Sequence, residues 1–303
     1  MHITTSMLQG TICPITATLS AIGLTIAAYS AIKAKRRPSV EYFAAIAALI
    51  FAMQMVNFPI QSGTSGHFLG GVLASALLGT SFGVLAMTFV ITIQTLIFSD
   101  GGLTVLGTNI FNMAILGAGL TGLLKEQFFD ASATPSFRNL SGLGFLAWFS
   151  VIAAAFASSI ELALSGNIAF FKVTTAMLSV HAIIGIAEAI LTVALYAILV
   201  SNFSHIKQRT AVYAPLFAAI VISLILSPFA SGLPDGLEWV ATQYQLFHNV
   251  APTFVSPLAD YTVSFVNNQW LSSSLAGFVG VSLTFTLVYF AGQLLNWPNR
   301  KRV

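Results

Sequence analysis

Charge is what this sequence has least of. Of 303 residues only 7% are Asp, Glu, Lys or Arg, while 56% are hydrophobic. A soluble domain ordinarily carries about 25% charged residues, so a water-facing surface cannot be built from this composition. The mean hydropathy of +0.87 points instead to lipid as the solvent. Cysteine is nearly absent. Cys13 stands alone, which excludes an intramolecular disulfide and a paired-thiolate metal site. There is no GxxxxGK[ST] run, hence no loop of that kind to cradle nucleotide phosphates. There is no HExxH either, and neither His67 nor His181 is followed by Glu. The signature of an intramembrane metalloprotease is therefore missing, and the chain reads as a non-enzyme. The net charge of +3 does not indicate nucleic acid, because the basic residues lie between apolar runs, where they report topology. No removable leader is apparent, since the basic cluster follows the first apolar run.

What is present is a series of apolar segments. Nine are read, at about 12–32, 41–58, 67–80, 82–98, 103–124, 143–164, 173–200, 211–229 and 275–296. The expected fold is all-α, a polytopic transmembrane bundle with membrane lipid as its surroundings. The third and fourth segments are split at Gly79-Thr80-Ser81-Phe82-Gly83, because one helix from 67 to 98 would be about 48 Å long against a core of roughly 30 Å. An outside N-terminus and a cytoplasmic C-terminus put Lys33, Lys35, Arg36, Arg37, Lys125, Arg138, Lys207, Arg209, Arg300, Lys301 and Arg302 on the cytoplasmic side. Only Lys172 is left outside. The loop 230–274 then lies outside. Its seven aromatic residues, Trp239 to Trp270, argue for a folded cap rather than a disordered linker.

Polar groups inside a bilayer are costly, so their positions are informative. In this topology Gln54, Asn57, His67, Gln94, Asp100, Asn109, Asn112 and His181 collect at one depth near the outer face. The pattern reads as a cavity open to the exterior, although pairs such as Gln54/Asn57 and Asn109/Asn112, spaced i,i+3, also suit helix-to-helix hydrogen bonds. Glu188 shares a helix face with His181 and lies near mid-membrane. A structural hydrogen bond and a coupling role stand open for it, the latter being the basis of an alternative reading as an ion-coupled secondary transporter. His205 reads as solvated in the cytoplasm, and His248 has no evident partner in the external loop.

The first two residues are Met1-His2. A retained Met1 offers its α-amine, and His2 offers a deprotonated amide nitrogen and Nδ1. The amine and amide close a five-membered ring on one ion, and the amide and imidazole close a six-membered ring. Three nitrogens in a plane favour a tetragonal ion such as Ni(II) or Cu(II). His67, which follows Ser62-Gly63-Thr64-Ser65-Gly66, is the best fourth donor; the competing reading is a capping or interfacial histidine.

Several runs together resemble the CbiM/NikM family, the substrate-binding components of energy-coupling-factor cobalt and nickel transporters. They are Met1-His2-Ile3, Asn57-Phe58-Pro59-Ile60 through His67, Gln94 through Asp100-Gly101-Gly102, Gly107 through Asn109-Ile110-Phe111-Asn112-Met113, and His181-Ala182-Ile183-Ile184-Gly185 with Glu188. Pro234-Asp235-Gly236-Leu237-Glu238 resembles a module often fused to that family. The resemblance implies a metal-binding domain over 1–205 and a two-helix accessory module over 206–303. It implies a transported Ni2+ or Co2+ held by Met1, His2 and His67 with no resident cofactor, and a supporting role for Gln94, Asp100, Asn109 and Asn112 around the N-terminal segment. It also implies a prokaryotic inner membrane, a transmembrane coupling protein and two ATPase subunits. Thr4-Thr5 replaces the family's usual Pro-Asp. The small residues Ala17 and Ala21 offer a close-packing face, expected to meet the coupling protein.

Overall fold

The computed structural model describes residues 1–61, 63–130, 136–166, 168–201, 208–248 and 254–300. His205, Lys207, Lys301 and Arg302 lie outside the described residues. Among those described, seven helices are long and apolar enough to cross a membrane.

Helix α1 (Ile12–Lys33) leaves Ile15, Leu19, Ile22, Ile26 and Tyr29 exposed, as a lipid-facing side should. Its opposite side is tied to the chain's own interior. The Thr16 and Thr108 hydroxyls pair at 2.7 Å, and Ser20 Oγ donates to the Gly107 carbonyl at 2.6 Å. A Cβ built on Gly107 would lie 2.5 Å from Ala17 Cα, so glycine is what lets the two backbones approach. Ala17 packs beside Gly107 yet stays exposed on the helix surface. Ala21 stays exposed.

Helix α2 (Val40–Gln54) starts at Ser39, whose side chain accepts from the Tyr42 amide. Twelve of its 15 residues are buried. A helix apolar on every side belongs at the centre of a bundle, and α2 packs against the helices that follow it and against the C-terminal one. The chain then forms a small antiparallel hairpin, β1 (Phe58–Pro59) with β2 (Ser65–Gly66).

The third expected segment is not a membrane-length helix. Helix α3 (Gly71–Leu78) has only eight residues, about 12 Å. Residues 67–70 precede it without helical structure, and Gly70 has φ +83. The chain reverses at Gly79 (φ +85) into α4 (Thr80–Phe98). His67 lies beside His2, and His2 contacts Asp100 just past the end of α4. The stretch 67–79 therefore spans nearly the same distance as α4, in part without helix.

Segment α5 (103–128) contains a 3-10 turn at Leu103–Val105 and wide π turns at Ile110–Leu120. Such widening recurs at functional sites. Helices α6 (Phe137–Leu164) and α7 (Phe170–Ser201) pair along their length. Segment α8 (208–229) contains Pro215 and ends in π and 3-10 turns. The loop that follows is folded: it holds α9 (Gly236–Gln243) and a 3-10 turn at Ala259–Tyr261, and it leads to α10 (Gln269–Arg300).

This loop is stitched onto the first part of the chain. Ser65 pairs with Asp235 in a parallel bridge, and the Ser65 amide donates to the Pro234 carbonyl at 2.8 Å. The Ser231 amide donates to the Asn57 carbonyl, and the Leu258 amide to that of Ile97. The His248 amide donates to the Ser6 carbonyl, and the His248 ring meets the Gln9 amide, so this residue has partners that its position in the sequence did not reveal.

Candidate metal centre

The N-terminal segment runs into the bundle instead of lying on its surface. Ile3 is strapped at both backbone groups. Its amide donates to Asn109 Oδ1 at 2.8 Å, and its carbonyl accepts from Asn109 Nδ2 at 3.0 Å and from the Gly102 amide at 3.0 Å. Asp100-Gly101-Gly102 explains itself here. Gly101 has φ +93, and a Cβ on Gly102 would lie 2.3 Å from the Thr5 amide nitrogen. Only glycine leaves room for the segment to pass.

The strap delivers Met1 and His2 to His67. Their relative exposures are 6%, 5% and 8%, so none is a surface group. The Met1 ammonium donates to His67 Nε2 and to Asp235 Oδ2. His67 Nδ1–H donates to the Phe68 carbonyl at 3.1 Å, which leaves the Nε2 lone pair facing the amine. A backbone carbonyl on the far nitrogen is the usual way to fix a metal-binding imidazole. The His2 and His67 rings stack with centroids 5.3 Å apart. His2 Nδ1 meets Asp100 Oδ1 at 3.0 Å, and Tyr261 Oη donates to Asp100 Oδ2 at 2.6 Å.

The electrostatics favour positive charge. Burial opposes ionisation of Asp100, but His2 and the Tyr261 hydroxyl outweigh it and hold this carboxyl below the usual carboxylate range. Burial likewise opposes ionisation of Asp235, and the Met1 ammonium and His67 overcome it. Tyr261 is pushed well above the usual phenol range by burial and by the Asp100 charge. A cavity of about 400 Å³ adjoins these groups, lined among others by His2, His67, Asp100, Asp235 and Glu238. Among the described residues no group of three or more His, Cys, Asp or Glu is arranged to hold an ion.

The remaining sequence candidates fall around this centre at different distances. Gln54 Nε2 donates to the Leu69 carbonyl at 2.6 Å, and Asn57 lines the cavity. Gln94 is buried, and its carbonyl accepts from the Ser99 and Asp100 amides in the turn that presents Asp100. His181 Nδ1–H donates to the Met177 carbonyl at 2.7 Å, and the ring sits under the Gly236 turn. Glu188 accepts from the Leu69 amide at 2.6 Å and the Gly70 amide at 2.9 Å, capping the interrupted segment that carries His67. Asn112 does not reach the N-terminal segment. It donates to Ser158 Oγ and to Glu161 Oε2 at 2.7 Å.

Sequence reasoning missed Asp235, Tyr261 and Glu161. The signal for Asp235 was present: Asp235 and Glu238 form a capping box, and D-x-x-E before an apolar run is readable. Nothing in the sequence pairs Tyr261 with Asp100, 161 positions away. Glu161 lies inside a segment read as uniformly apolar.

Residues 2–206 match the family described as cobalt uptake substrate-specific transmembrane region, CbiM, and residues 209–297 match the PDGLE domain. A putative fused nickel transport protein NikMN of Archaeoglobus fulgidus is 32% identical over 276 residues, covering 88% of this chain and 90% of that one. The fused nickel transport protein NikMN of Rhodobacter capsulatus is 29% identical, covering 79% and 82% respectively. A cobalt transport protein CbiM of Sorangium cellulosum is 31% identical over 175 residues, 55% of this chain and 76% of that one. The crystal structure of a truncated transition metal transporter superposes with a TM-score of 0.56 at 27% identity, covering 67% of this chain and 99% of the other.

Proposed function

The chain belongs to the CbiM family of cobalt uptake substrate-specific transmembrane regions, and from that premise we propose that it captures Ni2+ or Co2+ as the substrate-binding subunit of an uptake system. It is a membrane transport protein and not an enzyme. The observation that carries the assignment is the buried Met1 amine on the Nε2 lone pair of His67. The ammonium proton donated to His67 Nε2 occupies the line between these two nitrogens. A metal replaces that proton and recruits the His2 amide, with loss of further protons. The His2 ring must turn to bring Nδ1 inward, which breaks its contact with Asp100. The four donors are then the Met1 amine, the His2 amide, His2 Nδ1 and His67 Nε2. This set suits nickel first, and low-spin cobalt second.

The reading divides the chain into a metal-binding domain over 1–205 and an accessory module over 206–303. The N-terminus and the 230–274 cap face the exterior of a prokaryotic inner membrane, in line with the bias of Lys and Arg toward the opposite loops. A transmembrane coupling protein and two ATPase subunits supply the energy. Reconstitution tests this. Vesicles holding this chain with those partners should accumulate Ni2+ when ATP is supplied, whereas vesicles holding the chain alone should bind Ni2+ without concentrating it. Equal accumulation with and without ATP contradicts the assignment.

A further inference from the structure

The Met1 ammonium has two acceptors, and they differ in kind. His67 Nε2 must exchange its proton contact for the metal, whereas Asp235 need not move. A coordinated primary amine keeps two hydrogens after releasing one proton, and one of them still points at an acceptor. Asp235 divides its carboxylate accordingly. Oδ1 accepts from the Leu237 and Glu238 amides at 2.8 Å each and starts α9, while Oδ2 is left for the amine. The same residue is paired through its backbone with Ser65, two positions before His67. One turn of the C-terminal module therefore holds both the amine and the hairpin that leads to the second imidazole.

We propose that Asp235 is a positioning residue for metal capture: the C-terminal module supplies the anionic seat that holds the N-terminal amine in register with His67. The inference rests on the assignment of the Met1 amine as a donor. It gives the fused module a direct part in the metal centre and explains why its cap is folded onto the site. Outer partners of metal ligands set the orientation of the donors, and losing one typically weakens metal binding roughly 10- to 100-fold.

Two variants of the full chain separate charge from helix capping. Asp235→Asn keeps an oxygen for the Leu237 and Glu238 amides, since Asn caps helices as well as Asp does, but it removes the charge facing the amine. Asp235→Glu keeps the charge and gives a poorer cap. With Ni2+ as the probe, competed against a chelator, Asp235→Asn should bind roughly 10- to 100-fold more weakly, and Asp235→Glu should recover much of the loss. At saturating metal both should show the parent's planar Ni(II) absorption band, because the donors themselves are unchanged. Parental affinity in Asp235→Asn, or weaker binding by Asp235→Glu than by Asp235→Asn, overturns the proposal. A chain lengthened by one residue before Met1 is measured alongside. Loss there with no loss in Asp235→Asn removes only the role of Asp235, whereas no loss in either removes the amine as a donor.

Discussion

One residue added ahead of Met1 is expected to weaken Ni2+ binding by the purified chain on the order of 10²- to 10³-fold. The estimate follows from the donor count. Closed four-donor metal sites bind with about 10–16 kcal/mol, so one donor is worth about 2.5–4 kcal/mol. The extension turns the amine into a peptide nitrogen and moves the free amine one residue out of register with His67. It also has nowhere to go: Met1 is buried, and its nitrogen faces His67 and Asp235. His67→Ala should give a loss of similar size by deleting the second imidazole, while leaving the strap between Ile3 and Asn109 in place. Equilibrium competition against a chelator measures both. Unchanged affinity in the extended chain is incompatible with an amine donor.

The second large effect is expected from Glu188→Ala. Glu188 supplies the acceptors for the Leu69 and Gly70 amides, and Gln54 supplies the donor for the Leu69 carbonyl. Removing the carboxylate leaves two buried N–H groups without partners, at about 1–3 kcal/mol each. The segment affected carries His67, so the midpoint of thermal unfolding in detergent and the affinity for Ni2+ should fall together. Glu188→Gln keeps one acceptor oxygen and should fall between. A parental melting profile and parental affinity combined with abolished uptake in vesicles would assign Glu188 to energy coupling instead of to the cap.

The architecture was largely legible because the bilayer imposes a simple rule on composition: long apolar runs must become helices that satisfy their own backbone. Charge scarcity and the spacing of Lys and Arg were enough to find α1, α4 and the later long helices. The half-helix at α3 was not legible. Residues 67–80 are apolar enough to read as one short helix, and nothing local announces that Glu188, 118 positions from Gly70, caps a break that leaves 67–70 non-helical. Much of the candidate centre could be read for the same reason that polar groups in a membrane are rare. Asn109, Asp100, His67 and His2 were each conspicuous, and the structure brings them within a few ångströms of one another. Asp235 was visible too, but only as part of the Pro234-Asp235-Gly236-Leu237-Glu238 run that resembles a fused module. Its role depends on a β-bridge between segments 170 positions apart, which no periodicity encodes. Asn112 failed for the opposite reason: it shares a helix with Asn109 three positions earlier, yet the widened turns of α5 coincide with its pairing to Glu161 on α6.

X-ray absorption at the nickel edge of the loaded, purified chain tests the assignment of the donors most directly. A planar shell of four nitrogens is expected, with the outer-shell scattering of two imidazoles, one of which disappears in His67→Ala. A six-coordinate shell rich in oxygen, or imidazole scattering that is the same with and without His67, would contradict a centre built from the chain's first two residues and that histidine.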